Sequence, residues 1–121
     1  VGNNVFREKL MIQAKELGHK VITLVSSKSI VSDYAIVQEG TVVFPGAVVE
    51  ANAKIGRGCI IAANTTINHD AVIEDYALVN SNSVIRPNVV LKSKAKVGSR
   101  CVVTFGQTIE AEQEILDGQT V

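Results

Sequence analysis

The chain is poor in the large and reactive residues from which most cores and functional sites are built. It has no tryptophan, two tyrosines, three phenylalanines, two prolines, two cysteines and two histidines among 121 residues. Because aromatic side chains contribute much of the buried area of ordinary cores, their scarcity disfavours a conventional sandwich or barrel. The apolar content is mostly valine, isoleucine and alanine, which favours a narrow interior filled by similar aliphatic side chains.

Charge and long hydrophobic runs are also lacking. Twelve basic residues balance twelve acidic residues, so the chain has no basic surface of the kind that binds nucleic acid or anionic membranes. No apolar run approaches the roughly 20 residues needed to cross a bilayer, and no basic-then-apolar leader opens the chain. We therefore expect a soluble, cytoplasmic protein without nucleic-acid or membrane partners.

What the sequence does have is a period of six. Stepping by six residues from Val31 to Val121 gives sixteen positions, and all sixteen are valine, isoleucine or leucine. A second column, four residues after each of these, holds small residues from Ala35 to Cys101. An unbroken register of this kind is typical of a solenoid in which each repeat packs only on its neighbours.

The position before each small residue predicts the turns. Most turns have glycine, asparagine or aspartate there, which are the residues that tolerate a positive φ. At five turns the residue is of another type, and we expect mild strain or a different turn: Tyr34, Tyr76, Lys94, Arg100 and Glu112. Three six-residue units would close one triangular coil, and about five coils fit between Ile30 and Val121. Gln107, Gln113 and Gln119 replace the small residues at the C-terminal end, which predicts a polar last coil.

The first thirty residues have a different pattern. Asn3 or Asn4 can cap a helix of loose apolar spacing, Gly18 can end it, and residues 21–25 are apolar enough for a strand. We therefore predict two parts: residues 1–29, a helix-strand segment and linker, and residues 30–121, a solenoid.

With this pattern, the chain resembles the hexapeptide-repeat acyltransferases, which fold as left-handed parallel β-helices. The fold class implied is all-β, with about five coils after a short helix-strand segment. The stretches VGNNVFREKL and TLVSSKSIVSDYAIV resemble those that join an N-terminal α/β subdomain to the β-helix in the sialic acid O-acetyltransferase and bacterial amino-sugar N-acetyltransferase family. By that resemblance, residues 1–29 are the remnant of a subdomain that is otherwise lacking.

The resemblance also extends to the segment INHDAVIED, residues 67–75. In the family, the histidine before an acidic residue is the general base of acetyl transfer and works in a cleft between two subunits of a trimer. The resemblance implies that His69 and Asp70 are catalytic, that acetyl-CoA is the co-substrate, and that the acceptor is a sugar or nucleotide-sugar. Independently of the family, histidine titrates in the range that suits a general base, and a neighbouring carboxylate can orient it.

Three positions depart from the family pattern. Ala62 stands where a polar asparagine is usual, Leu78 where a second histidine often follows, and Pro87 where a glycine can offer its N–H to the acetyl carbonyl. They leave an alternative open, a non-catalytic trimeric β-helix that acts as a structural or assembly module. On spacing alone, an outward histidine on a solenoid is most often a solvated surface residue. His19, after the helix, is expected to be a C-terminal helix cation.

Metal chemistry and disulfides are disfavoured. Zinc sites in related β-helices use three histidines, and only His69 lies on the predicted solenoid. Cys59 and Cys101 fall on different corners and more than two coils apart, so we expect free, buried thiols, as in a reducing compartment.

An oligomer is predicted from the outward positions. The residue before each inward aliphatic residue should face solvent, yet many of these residues are apolar. One face would carry a contiguous patch formed by Val42, Phe44, Ile60, Ala62 and Leu78. Because an extensive apolar surface usually marks an interface, we expect a homotrimer that buries this patch.

Overall fold

Sixteen strands of two residues each follow one helix in the computed structural model, which describes residues 1–121. The short strands follow from the six-residue repeat, in which two extended residues alternate with a tight turn. The elements are α1 (Asn4–Glu16), β1 (Leu24–Val25), β2 (Ile30–Val31), β3 (Ile36–Val37), β4 (Val42–Val43), β5 (Val48–Val49), β6 (Lys54–Ile55), β7 (Ile60–Ile61), β8 (Thr66–Ile67), β9 (Val72–Ile73), β10 (Leu78–Val79), β11 (Val84–Ile85), β12 (Val90–Leu91), β13 (Lys96–Val97), β14 (Val102–Val103), β15 (Thr108–Ile109) and β16 (Glu114–Ile115). The helix is not long and apolar enough to cross a membrane.

The strands form three parallel sheets, which are the faces of a solenoid of about five coils. Face A contains β1, β4, β7, β10, β13 and β16; face B contains β2, β5, β8, β11 and β14; face C contains β3, β6, β9, β12 and β15. Each strand from β1 to β13 pairs with the strand three places further along the chain, as in the register Ile60 to Leu78. The predicted all-β solenoid with an eighteen-residue coil is thus confirmed.

The core is a column of aliphatic side chains along the solenoid axis. The inward residues Val43, Ile61 and Val79 are 1%, 0% and 0% exposed, and the small residues Ala47 and Ala77 are fully buried. Val31 and Val37 are only partly buried, because strands β2 and β3 have no coil beneath them. Since coils lie about 4.8 Å apart, each inward side chain packs on the ones directly above and below it.

Most turns use a backbone conformation that ordinary residues avoid. Fourteen solenoid turns place a residue at positive φ, and nine of these residues are not glycine. The nine are spread over all three corners of the solenoid. Tyr76, Lys94, Arg100 and Glu112 adopt φ between 55° and 65°, so the expected strain is present there. Tyr34 is not among the positive-φ residues, so its turn differs.

Helix α1 begins and ends as its sequence predicts. The side chain of Asn3 accepts a hydrogen bond from the N–H of Phe6 at 2.9 Å and caps the first turn. After Glu16, the C-terminal cap is Leu17, and Gly18 follows with φ of 84°. The helix therefore has a defined start and stop that do not depend on its packing.

The helix packs along the corner between faces C and A. Arg7 is 7% exposed and donates from Nε to the carbonyl oxygen of Gly58 at 2.6 Å and from Nη2 to that of Tyr76 at 3.0 Å. Asn4 donates to the carbonyl oxygen of Lys94 at 3.0 Å. Burial lowers the pKa of Arg7, while the nearby Cys59 and Tyr76 oppose that shift. The carbonyl groups at this corner thus gain hydrogen-bond donors from the helix. The hydrogen bonds between coils do not supply such donors to them.

The strand predicted at residues 21–25 is shorter than expected. It is confined to Leu24–Val25, and it pairs with Val42–Val43 as the first strand of face A. The aliphatic column therefore extends one step earlier, to Val25. The division into residues 1–29 and 30–121 stays a prediction about evolutionary origin, since α1 and β1 both contact the solenoid.

The last coil is polar, as predicted. Gln107, Gln113 and Gln119 are all exposed. Two of them use their side-chain oxygens inside the turn: Gln113 accepts from the N–H of Glu110 at 2.9 Å, and Gln119 accepts from the N–H of Leu116 at 2.8 Å. The glutamines thus take over, at this end, part of the hydrogen bonding that backbone groups provide elsewhere.

Candidate functional site

His69 lies on the corner between β8 and β9. Ile67 and Ile73, the inward residues on either side, are 0% and 1% exposed and anchor the segment to the core. Asp70 occupies the positive-φ position with φ of 62°, as Asn52 and Asn88 do one coil away on either side. The turn therefore holds the histidine side chain on the outside of the solenoid, where the core does not need it.

The imidazole of His69 contacts the carboxylate of Asp70. Nδ1 lies 2.8 Å from Oδ2 of Asp70, and the two side chains are 55% and 48% exposed. Because an ionised carboxylate only accepts hydrogen bonds, this contact places the proton of a neutral imidazole on Nδ1. The free Nε2 is then the basic nitrogen and can accept a proton from a substrate.

A second carboxylate holds the same corner from the preceding coil. One oxygen of Glu50, Oε1, accepts from the backbone N–H of His69 at 2.9 Å and from the side-chain amide of Asn68 at 3.1 Å. The sequence pattern does not predict these two bonds. Asn68 follows Glu50 by eighteen residues and His69 follows it by nineteen, a spacing that indicates neighbouring coils. Many other residue pairs of the solenoid have the same spacing, so it does not single out Glu50.

Because one coil is eighteen residues long, the coil neighbours of His69 are Ala51 and Pro87. The carbonyl of Ala51 accepts from the N–H of Asp70 at 3.2 Å, and the carbonyl of Pro87 accepts from the N–H of Gly106 at 3.1 Å. The corresponding bond, from the N–H of Asn88 to the carbonyl of His69, is absent. His69 is therefore tied to its neighbouring coils through its N–H and Glu50 rather than through its carbonyl.

The other positions singled out in the sequence lie elsewhere on the chain. Leu78 faces outward on face A, and Ala62, 9% exposed, follows β7 on the same face. His69 lies at the corner between faces B and C, so a single chain does not bring these residues together. His19 lies after the helix and is exposed.

No cavity of the single chain includes His69 or Asp70. One groove of about 360 Å³ lies on face C and has Ile36, Val72 and Ile73 among its apolar lining. The histidine thus stands on an open corner, and a substrate bound there would meet solvent unless another surface covers it.

Face A carries the predicted apolar patch. Val42, Ile60 and Leu78 are register partners in consecutive coils and are all partly exposed. Phe44 is 41% exposed beside them, whereas Ala62 is nearly buried. Leu24 extends the column by one coil, and Lys96 ends it at the other side. The patch is contiguous, as expected.

The two cysteines are free and buried, as predicted. Burial raises the pKa of Cys59 to about 11, against hydrogen bonds from the Ala77 backbone and the Thr41 side chain that lower it. A thiol with this pKa is protonated at neutral pH and does not act as a nucleophile. No three His, Cys, Asp or Glu side chains converge in a way that could hold a metal ion.

Comparison with known proteins defines the class. Residues 34–69 match the model of the bacterial transferase hexapeptide repeat (six repeats), and the structure is a parallel solenoid built from that repeat. The chain is therefore a parallel β-solenoid whose residues 34–69 are similar to that repeat.

Two solved structures share this architecture at comparable identity. The acetyltransferase domain of PglB from Neisseria gonorrhoeae superposes with a TM-score of 0.98 at 25% identity, over 100% of this chain and 59% of that chain. The same domain in complex with acetyl coenzyme A superposes with a TM-score of 0.87 at 27% identity, over 99% and 63%. This chain thus spans about three fifths of the length of those chains.

PerB from Caulobacter crescentus, solved with CoA and GDP-perosamine, has the same fold at 20% identity and a TM-score of 0.64, over 96% of this chain and 63% of that chain. At that identity the likeness concerns the fold alone.

Proposed function

We propose that the chain is the solenoid part of an acetyltransferase that moves an acetyl group from acetyl-CoA to an amine or hydroxyl of a sugar or nucleotide-sugar. The observation that carries the proposal is the 2.8 Å contact between Nδ1 of His69 and Asp70 on an outward corner. The likeness to an acetyltransferase domain solved in complex with acetyl coenzyme A supports it. The acceptor class is supported only by the fold that PerB shares with this chain.

In the proposed reaction, Nε2 of His69 accepts the proton of the acceptor amine or hydroxyl. The acceptor nitrogen or oxygen bonds to the thioester carbonyl carbon, and the carbon–sulfur bond then breaks. The proton on Nε2 passes to the leaving thiolate, which gives free CoA and returns His69 to its neutral form. Asp70 keeps the Nδ1–H in place and stabilises the imidazolium while the proton is held.

The oxyanion formed at the thioester carbonyl needs a hydrogen-bond donor. Pro87, one coil from His69, has no N–H, and the carbonyl of Ala51 on the other side already accepts from the N–H of Asp70. We therefore infer that the donor comes from another surface, such as a second copy of the chain.

That inference agrees with the open corner and the apolar patch of face A. A homotrimer with threefold symmetry would bury Val42, Ile60 and Leu78 and could cover the corner of a neighbouring subunit. A covered corner would exclude water, which strengthens the electrostatic interactions that the reaction needs. We further propose a cytoplasmic location, which fits two unpaired cysteines.

The proposal is tested by incubating the chain with acetyl-CoA and a panel of UDP- and GDP-linked amino sugars, and by measuring release of free CoA. We expect release that depends on His69 and disappears in His69→Ala. The matched control is His19→Ala, which removes the only other histidine and should leave the rate unchanged. Coenzyme A at millimolar concentration should also raise the melting temperature of the wild-type chain. No release with any acceptor and no thermal shift would overturn the proposal.

A second candidate is a non-catalytic trimeric β-solenoid that serves assembly. Pro87 favours it, because the position beside His69 that should offer an N–H offers none. This candidate predicts a trimer that neither binds coenzyme A nor depends on His69 for anything. The thermal shift separates the two candidates without requiring the correct acceptor.

A further inference from the structure

Glu50 makes a two-point contact with the segment that carries His69. A single oxygen, Oε1, accepts from the His69 N–H at 2.9 Å and from Nδ2 of Asn68 at 3.1 Å. Glu50 belongs to the preceding coil, so the contact joins two coils at the corner that carries the histidine. Hydrogen bonds to an ionised carboxylate are roughly twice as strong as those between neutral groups.

Such contacts are not a general property of the turns. The N–H of the first turn residue has a side-chain acceptor at only four corners, where the donors are Arg57, His69, Ser93 and Ser99. At the corner of His69 the usual backbone bond from the following coil is also absent. Glu50 is therefore the only group on another coil that bonds to His69 itself, while the neighbouring Asp70 N–H bonds to the carbonyl of Ala51 at 3.2 Å.

Fixing this peptide has a chemical consequence. Asp70 fixes the ring through Nδ1 at 2.8 Å, but Asp70 is on the same turn and would move with His69. Glu50 ties the N–H of His69 to the preceding coil, beside the bond from the Asp70 N–H to the carbonyl of Ala51. Glu50 and Asp70 together therefore define where Nε2 points. A general base must be within hydrogen-bond reach of the proton it removes, and a misplacement of about 1 Å can cost about 100-fold in rate.

We propose that Glu50 is a positioning residue for His69, acting through the backbone of the histidine and through Asn68. The proposal rests on the proposed acetyltransferase function. It deepens that function by assigning a role to a residue on another coil that touches neither substrate nor the imidazole ring.

The test compares three variants of the chain. Glu50→Ala removes both bonds, and Glu50→Gln keeps an oxygen that can accept them. The matched control is Glu74→Ala, because Glu74 accepts from the N–H of Ser93 at 3.2 Å with the same atom and the same spacing, at a corner without histidine. Initial rates are measured with acetyl-CoA and the acceptor that supports turnover, and exchange of the His69 amide proton is followed by NMR.

For Glu50→Ala we expect kcat to fall by about 10- to 100-fold, with the KM for acetyl-CoA within twofold of wild type. The His69 amide should exchange at least tenfold faster in that variant. Glu50→Gln should restore most of kcat and most of the protection. Glu74→Ala should accelerate exchange at Ser93 only and leave kcat unchanged.

The failures are distinguishable. A wild-type chain that transfers no acetyl group overturns the acetyltransferase itself. An active wild-type chain whose Glu50→Ala variant keeps its kcat overturns only the role of Glu50. Equal loss of kcat in Glu74→Ala and Glu50→Ala would also overturn it, because the effect would then be general loosening of the turns. Unchanged exchange of the His69 amide in Glu50→Ala would show that Glu50 does not hold the peptide.

Discussion

Nε of Arg7 lies 2.6 Å from the carbonyl oxygen of Gly58, which ties helix α1 to a corner of the solenoid fifty-one residues away. The same guanidinium donates to the carbonyl oxygen of Tyr76 at 3.0 Å. A buried guanidinium that serves several carbonyls stabilises the docked helix, and its removal leaves those carbonyls without partners.

Arg7→Ala should therefore lower the free energy of unfolding by about 2–4 kcal/mol, because the cost includes the desolvation of the carbonyls left behind. Chemical denaturation of the two chains measures the difference. Arg57→Ala is the control: Arg57 is half exposed and 3.8 Å from Asp75, so its loss should cost less than about 1 kcal/mol. Equal losses in the two variants would contradict the importance of the buried contacts.

Asp70 has two roles that one substitution can separate. Asp70→Asn keeps a residue that tolerates positive φ, as Asn52 and Asn88 show at the same corner of adjacent coils. The fold should be retained, while the amide no longer stabilises the imidazolium of His69 and permits the wrong tautomer. We expect kcat for acetyl transfer to fall by about 100-fold or more, with an unchanged melting temperature within about 2 °C. An unaltered kcat would mean that Asp70 serves only as a turn former.

Ile60 lies at the centre of the apolar patch on face A, between Val42 and Leu78 in register. Ile60→Glu should place one buried charge per subunit in the interface of the proposed trimer. Because an unpaired charge is costly to bury, the trimer should dissociate. Light scattering coupled to size-exclusion chromatography measures the mass. Thr108→Glu, at an exposed position of face C, should leave the mass unchanged. A trimer that persists in Ile60→Glu would rule out this face as the interface.

The buried thiol of Cys59 should make the free energy of unfolding fall at alkaline pH. Burial raises its pKa from 9.0 to about 11, so the folded chain keeps the proton while the unfolded chain loses it. The stabilising contribution is complete below pH 9 and is lost as the pH rises through 11, by about 3 kcal/mol in total. Unfolding free energies at pH 8 and pH 11 should differ less in Cys59→Ala than in wild type. A pH dependence that is identical in both chains would contradict the raised pKa.

The solenoid can be predicted from the sequence because the six-residue period is visible in the sizes of the side chains alone. Ile61, Ile67 and Ile73 are buried as the six-residue column requires. The same column, extended one step back from Val31, would have identified Val25 as the start of face A. The position of helix α1 could not be predicted in this way, because Arg7 binds backbone carbonyls, which are the same whatever residue carries them.

The candidate site was predicted in part for a similar reason. His69 and Asp70 are adjacent in sequence, so their contact depends only on the local turn. The bond from the His69 N–H to Glu50 joins a backbone group to a side chain of the adjacent coil. Because every residue except proline has such an N–H, the presence of a histidine at position 69 does not indicate this bond. The surface that would cover the corner is not encoded in any local pattern of a single chain.

Helix α1 touches four successive coils along one corner, through pairs that reach from Lys15 with Glu39 at one end to Asn4 with Lys94 at the other. The match is geometric: four helical residues advance about 6 Å, close to the spacing of about 4.8 Å between coils. Coils of a solenoid otherwise contact only their nearest neighbours, so they could open one at a time from either end. A helix fastened across four of them makes that stretch open as one cooperative unit, and the coils beyond Lys94 should be the first to fray.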